Sequence, residues 1–176
     1  MNRPTLRTSR LLLRPWMPED ADRLLAILQE TDILRYFPCT ASWRREKVDW
    51  YIAHHLSHWQ EHGCGHWAVV TPANRQVVGW NGLEFLPETG ETEVAYLLSR
   101  DVWSQGYATE AAQAALQFGF TNCGLDKIIG LTHPENIASQ RVLEKCGMAL
   151  IDRQVYFGMI LCCYRVEREE FFRNSC

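Results

Sequence analysis

The segment Glu93-Val-Ala-Tyr-Leu-Leu-Ser99, followed by Trp103-Ser-Gln-Gly-Tyr-Ala-Thr-Glu110, reads as a strand that feeds a glycine-containing turn and opens a helix. It restricts the fold strongly, because the helix must lie back on the sheet its strand belongs to. The first N–H groups of a helix have no internal partners and carry the positive end of its dipole. The amides of Gln105 to Thr109 therefore form a cradle for an anion such as a pyrophosphate. Gly106 and Ala108 keep side-chain bulk away from it. A glycine before a helix also serves turn geometry alone, so the rest of the chain decides between the two uses.

A β-rich stretch from Thr8 to Arg14 ends at Pro15. After it Pro18-Glu19-Asp20 opens a helix with Ala21, Leu24, Leu25 and Leu28 on one stripe. A longer helix is expected from Arg44 to Glu61, with Val48, Ile52, Leu56 and Trp59 aligned and Gly63 as its stop. Turn clusters then separate strands at His66 to Thr71, Gln76 to Phe85 and Glu91 to Ser99, an antiparallel meander. A helix from Gly106 to Asn122, a strand from Lys127 to Thr132 and a helix from Asn136 to Cys146 follow. Strands near Met148 to Tyr156 and Ile160 to Glu169 close the chain as a hairpin. Strand runs first and strand–helix alternation later imply an α/β fold, with a central mixed, mostly antiparallel sheet of about seven strands and helices on both faces. Nothing reads as a linker or repeat, so residues 1–176 form one domain.

Charge and composition exclude other classes. Eighteen Lys and Arg against 21 Asp and Glu leave no positive surplus for a phosphate backbone, so nucleic acid is not expected as a partner. The longest apolar stretches, Leu11 to Leu13 and Gly158 to Tyr164, are too short to span a bilayer, so no membrane partner is expected either. Met1 to Arg7 carry two arginines without an apolar signal region, and a cytoplasmic location is expected. Seven cysteines without a Cys-x-x-Cys read as free thiols.

Beyond the first helix and one further strand lies Asn136-Ile-Ala-Ser139-Gln-Arg-Val-Leu-Glu-Lys-Cys-Gly147-Met148. With the Gln-Gly-Tyr-Ala turn and the opening Thr8-Ser-Arg-Leu-Leu-Leu-Arg-Pro15, it resembles the GNAT superfamily of acyl-CoA-dependent N-acyltransferases. Within it the chain is most similar to the RimJ/RimL-like branch, the ribosomal-protein N-terminal acetyltransferases and their small-molecule relatives. The resemblance implies two neighbouring parallel strands that splay apart, with acetyl-CoA as co-substrate entering the wedge. It implies that the amides of Gln105, Gly106, Tyr107, Ala108 and Thr109 hold the pyrophosphate. The backbone of Leu97 and Leu98 would pair with the pantetheine, and Asn136 would bond the same arm. Ser139 would give a proton to the departing thiolate. Many members carry a tyrosine acid seven residues after the Asn; Leu143 stands there, as in the branch, and leaves that work to Ser139 or water. Trp103 replaces the usual polar residue at the start of the turn, at little cost to a cradle of backbone amides.

An ammonium has no lone pair, so the amine acceptor, a peptide N-terminus or a small amine, must lose a proton before it attacks. Glu93 stands at the family's base position; its plainer role is a solvated strand carboxylate beside Glu91. Ser139 and Asn136 equally serve the start of a helix, roles compatible with ligand contact. Arg141 and Lys145 read as a solvated face. His54, His58 and His62 recur every four residues near His55 and His66. Without a His-Glu-x-x-His arrangement no metal is expected, and Tyr51, His54 and His58, with Trp43, read as an acceptor wall. Trp16, Trp50, Trp67 and Trp80 read as packing. Cys146 shares the Ser139 face but has no evident base, so a covalent acyl-enzyme is not expected. The alternatives are an acetyl-CoA-binding regulator without turnover and a module for another nucleotide. As an enzyme the chain would act as a monomer or homodimer.

Overall fold

The computed structural model describes residues 3–38 and 42–174. The strands are β1 (Leu6–Arg7), β2 (Leu12–Arg14), β3 (His66–Thr71), β4 (Gln76–Leu86), β5 (Glu91–Leu98), β6 (Lys127–Thr132), β7 (Ala149–Tyr156) and β8 (Met159–Glu167). The helices are α1 (Ala21–Leu28), α2 (Arg45–His62), α3 (Tyr107–Thr121), α4 (Ile137–Lys145) and α5 (Arg168–Asn174). All eight strands form one sheet in the order β1-β2-β3-β4-β5-β6-β8-β7, antiparallel except for β5 beside β6. One strand more than expected appears because the stretch from Thr8 to Arg14 does not run straight. The Thr8 hydroxyl accepts the Leu11 amide at 2.9 Å and its own amide reaches the Leu11 carbonyl at 3.0 Å, a side-chain turn that divides β1 from β2.

The chain end also differs from its expected strand. β8 stops at Glu167 because the Arg168 amide donates to the Asp126 carbonyl and its guanidinium to the Leu125 carbonyl at 2.6 and 2.8 Å. The chain turns there into α5 and buries Phe171 against Phe120, with ring centroids 5.3 Å apart.

Side chains of a strand alternate between faces, and the sheet accordingly separates two main cores, with a smaller third cluster around Ile129 and Cys163. One joins Val94 and Leu98 of β5 to the Ala111, Ala112, Ala115 and Leu116 face of α3 and to Leu143 of α4. The other joins Leu97 and Trp80 to Leu24 and Ile27 of α1 and Val48 and Ile52 of α2. Trp16, Trp67 and Trp80 pack as expected. Trp50 does not: it is 61% exposed and stacks on His54 instead. At the start of α1 the Arg14 guanidinium grips the Asp20 carboxylate through two bonds of 2.7 Å, a fork geometry that fixes the strand-to-helix corner. Cys64, Cys123, Cys146, Cys162 and Cys163 are free; Cys39 and Cys176, like Met1 and Asn2, lie outside the described residues. Among the described residues no helix is long and apolar enough to cross a membrane.

Candidate active site

β5 is paired unequally. Toward β4 it matches eight consecutive positions, Gly79↔Leu98 through Leu86↔Glu91. Toward β6 it shares a single register pair, Glu93↔Ile129. Beyond that rung the parallel strands diverge, and the C-terminal half of β5 faces a wedge. Glu93 marks the fork, accepting the Leu131 amide of β6 on its carboxylate at 3.3 Å.

Glu93 belongs with Ala95 and Leu97 to the face that meets α1 and α2. Burial pushes its carboxyl up to about 8, the charge of Glu84 adds to the rise, and the Leu131 N–H only partly offsets it. Glu84 is its cross-strand partner and is itself raised by burial, against the opposing pull of His54. A carboxyl raised in this way can take up and release a proton near neutral pH.

On the opposite face, Tyr96 reaches α4. Its hydroxyl lies 2.9 Å from the Ser139 Oγ and donates to the Ser139 carbonyl at 3.2 Å. Burial raises the Tyr96 phenol, and its contact with Ser139 opposes that rise, so it stays protonated. Asn136 caps α4 by accepting the Ser139 amide at 3.2 Å on its Oδ1. The serine is thus held by a cap on one side and a phenol on the other. Tyr96 is a neighbour of Ser139 that the sequence does not announce, because the contact spans 43 residues. Cys146 is buried and its thiol is pushed up to about 12 by that burial.

The cradle stands at the start of α3. Gly106 takes φ +80° as N-cap, and Ser104 before it also has positive φ at +61°. The first internal bond of the helix runs from the Glu110 amide to the Gly106 carbonyl at 3.0 Å, which leaves the Tyr107, Ala108 and Thr109 amides facing outward. Arg10, from the β1–β2 turn, closes the edge of this cradle. Its guanidinium donates to the Gln105 carbonyl at 2.8 Å, pairs with Glu110 at 2.7 Å and lies 4.7 Å from the Tyr107 ring centre. A Cβ at Gly106 would come within 3.3 Å of that guanidinium. Glu110 anchors the turn. Burial alone would raise its carboxyl, but bonds from Thr8, the Arg10 amide and guanidinium and Ser9 outweigh this and hold it below the usual range. The residues Thr8-Ser-Arg10 were visible in the sequence; their place beside a helix 100 residues onward was not. The Leu98 carbonyl, at the wedge, already accepts the Trp103 indole N–H at 2.7 Å and retains one lone pair.

The wall offered by α2 divides by burial. His58 spends both ring nitrogens on backbone, Nδ1 on the Cys64 carbonyl at 2.8 Å and Nε2 on the Phe85 amide at 3.1 Å, which leaves neither for an acceptor. Tyr51 packs among Trp16, Trp43, Trp80 and His55 and reaches the His66 Nδ1 at 2.8 Å. His54 remains exposed at the rim, 3.9 Å from Glu84. Arg141 and Lys145 project outward from α4.

The chain belongs to the GNAT acetyltransferase family: residues 10–149 match the model described as an acetyltransferase (GNAT) domain. It is therefore an N-acetyltransferase by class. It is 31% identical over 145 residues to the uncharacterized N-acetyltransferase p20 of Bacillus licheniformis, covering 80% of this chain and 79% of that one. The spermidine N-acetyltransferase of Vibrio cholerae, solved with CoA and spermine, superposes with TM-score 0.78 at 16% identity, over 94% of this chain and 99% of that one. The ribosomal-protein-S5-alanine acetyltransferase of Vibrio fischeri does so with TM-score 0.79 at 14% identity, over 96% and 98%. At these identities the two structures share the fold with this chain.

Proposed function

We propose that the chain transfers the acetyl group of acetyl-CoA to a primary amine by direct attack in a ternary complex. The carrying observation is the single rung between β5 and β6, with Glu93 at the rung on one face and the Tyr96–Ser139 pair on the other. The cradle fits the co-substrate: free helix-start amides, a glycine at φ +80° and the Arg10 guanidinium all favour an anion there. Gln105 to Thr109 with Arg10 would hold its pyrophosphate. Leu97, Leu98 and the Asn136 amide NH2 would meet its pantetheine arm. Bound there, acetyl-CoA supplies an activated thioester carbonyl.

Glu93 takes the proton from the incoming ammonium and passes it toward Glu84 or solvent. Ser139 donates its hydroxyl proton to the departing sulfur and recovers one from solvent, while the Tyr96 phenol keeps its own proton and positions the serine oxygen. A base near 8 exchanges protons almost evenly with an α-amine, whose ordinary pKa is about 7.7–8.0, and uphill with a lysine-type amine near 10.4. The favoured acceptors are therefore α-amines of peptides or amino acids and other amines of similar basicity. Product mass spectrometry with a mixed panel of peptides, amino acids, polyamines and aminoglycosides tests this. Acetylated α-amines are expected. Acetylation confined to polyamines would overturn the acceptor class. Bound acetyl-CoA without any product would overturn turnover in favour of a regulator.

A further inference from the structure

We propose that His54, His55 and Glu84 form a binding site for one divalent transition-metal ion of the zinc type. His54 and His55 come from α2 and Glu84 from β4. Each offers one ligand atom, and the three atoms lie within 4.8 Å of one another, a spread that small rotamer changes close around a common ion. Two imidazoles and one carboxylate suit zinc and its first-row neighbours rather than magnesium or calcium, which favour oxygen donors. His54 is exposed, so the fourth coordination position opens to solvent.

A second, independent observation points the same way. Buried nitrogens normally find partners, because an unpaired one forfeits its hydration. Both His55 and His66 are 2% exposed, yet the His55 Nδ1 and the His66 Nε2 have none. The two rings stack with centroids 3.8 Å apart, and His66 is fixed from behind by Trp80 and by the Tyr51 hydroxyl on its Nδ1. Its Nε2 is aimed at the second Glu84 oxygen, 3.7 Å away. A histidine braced by a tyrosine and facing a ligating carboxylate is the outer-shell arrangement that orients metal ligands. Sequence spacing alone missed the set, since the carboxylate arrives from another strand. On the reading of Glu93 as base, an ion held by its cross-strand partner Glu84 would compete with an acceptor ammonium for this pair of carboxylates.

Titration of the full chain with Co2+, followed in the visible spectrum, tests the site without reference to activity. One equivalent is expected to give the intense d–d absorption of a four-coordinate site, abolished by added Zn2+. His54→Ala and Glu84→Gln should each weaken binding at least about tenfold, while His62→Ala leaves it unchanged. His54 is exposed, so its variant folds, as circular dichroism will verify. No visible band, a thiolate-to-cobalt charge-transfer band marking cysteine ligation, or equal affinity in all variants would overturn the site. Loss of acetyl transfer in Glu93→Gln with cobalt binding intact would separate this proposal from that of the base.

Discussion

The two flanks of β5 carry the same backbone in opposite conditions. Toward β4 the strand is sealed over eight positions, closely enough that a Cβ on Gly79, whose φ is +149°, would stand 2.1 Å from the Leu97 carbonyl. Toward β6 it has one rung. On the proposed reading, the sealed flank supplies rigidity and the other flank supplies chemistry. A wedge between strands can hold a reactive group in place only if the other edge of its strand cannot move.

Several substitutions would break or sharpen that contrast. Glu93→Gln, at the fork, should lower kcat/KM about 10²–10³-fold in a coupled-free mass assay. The sign of the pH dependence follows from a carboxyl raised to about 8: below it the base is protonated, so wild-type rate rises with pH through that value, and the variant should lose this limb. On the cradle side, Gly106→Glu adds bulk and negative charge at φ +80° and should weaken acetyl-CoA at least about 100-fold by calorimetry. Gly79→Ala on the sealed flank should cost about 3 kcal/mol in denaturant melts, by overpacking onto a carbonyl that cannot retreat. Ser139→Ala and Tyr96→Phe should each reduce kcat roughly 10–100-fold with acetyl-CoA affinity kept, and the double variant should fall little further, since the pair acts as a unit. Smallest, Arg10→Ala should weaken acetyl-CoA about fivefold, more at low salt than at high, because the guanidinium is about half exposed. An unchanged affinity would leave the cradle to its amides alone.

Much of this architecture was legible in the chain. The strand–glycine–helix segment at Glu93 to Glu110 and the Asn136 to Met148 block marked the starts of α3 and α4, because each is a local pattern tied to a helix start, whereas the roles proposed for Glu93 and Ser139 rest on the family resemblance. Element boundaries failed where a side chain overruled periodicity: Thr8 turned the first strand back on itself, and Arg168 ended the last one by bonding the Leu125 carbonyl. What stayed hidden was every contact across the sheet. Tyr96 beneath Ser139, Arg10 over Tyr107 and Glu84 under His54 join residues from distant segments, and no spacing rule relates them. His58 shows the reverse error: a helix-periodic histidine suggested a binding wall, yet both its nitrogens stitch backbone.

The bond from the Leu131 amide to the Glu93 carboxylate stands beside the lone rung where a second rung would otherwise be. An amide binds an ionised carboxylate more strongly than a neutral one. On the proposed reading, the proton that Glu93 takes from an acceptor therefore also slackens the seam between the five-strand and three-strand halves of the sheet.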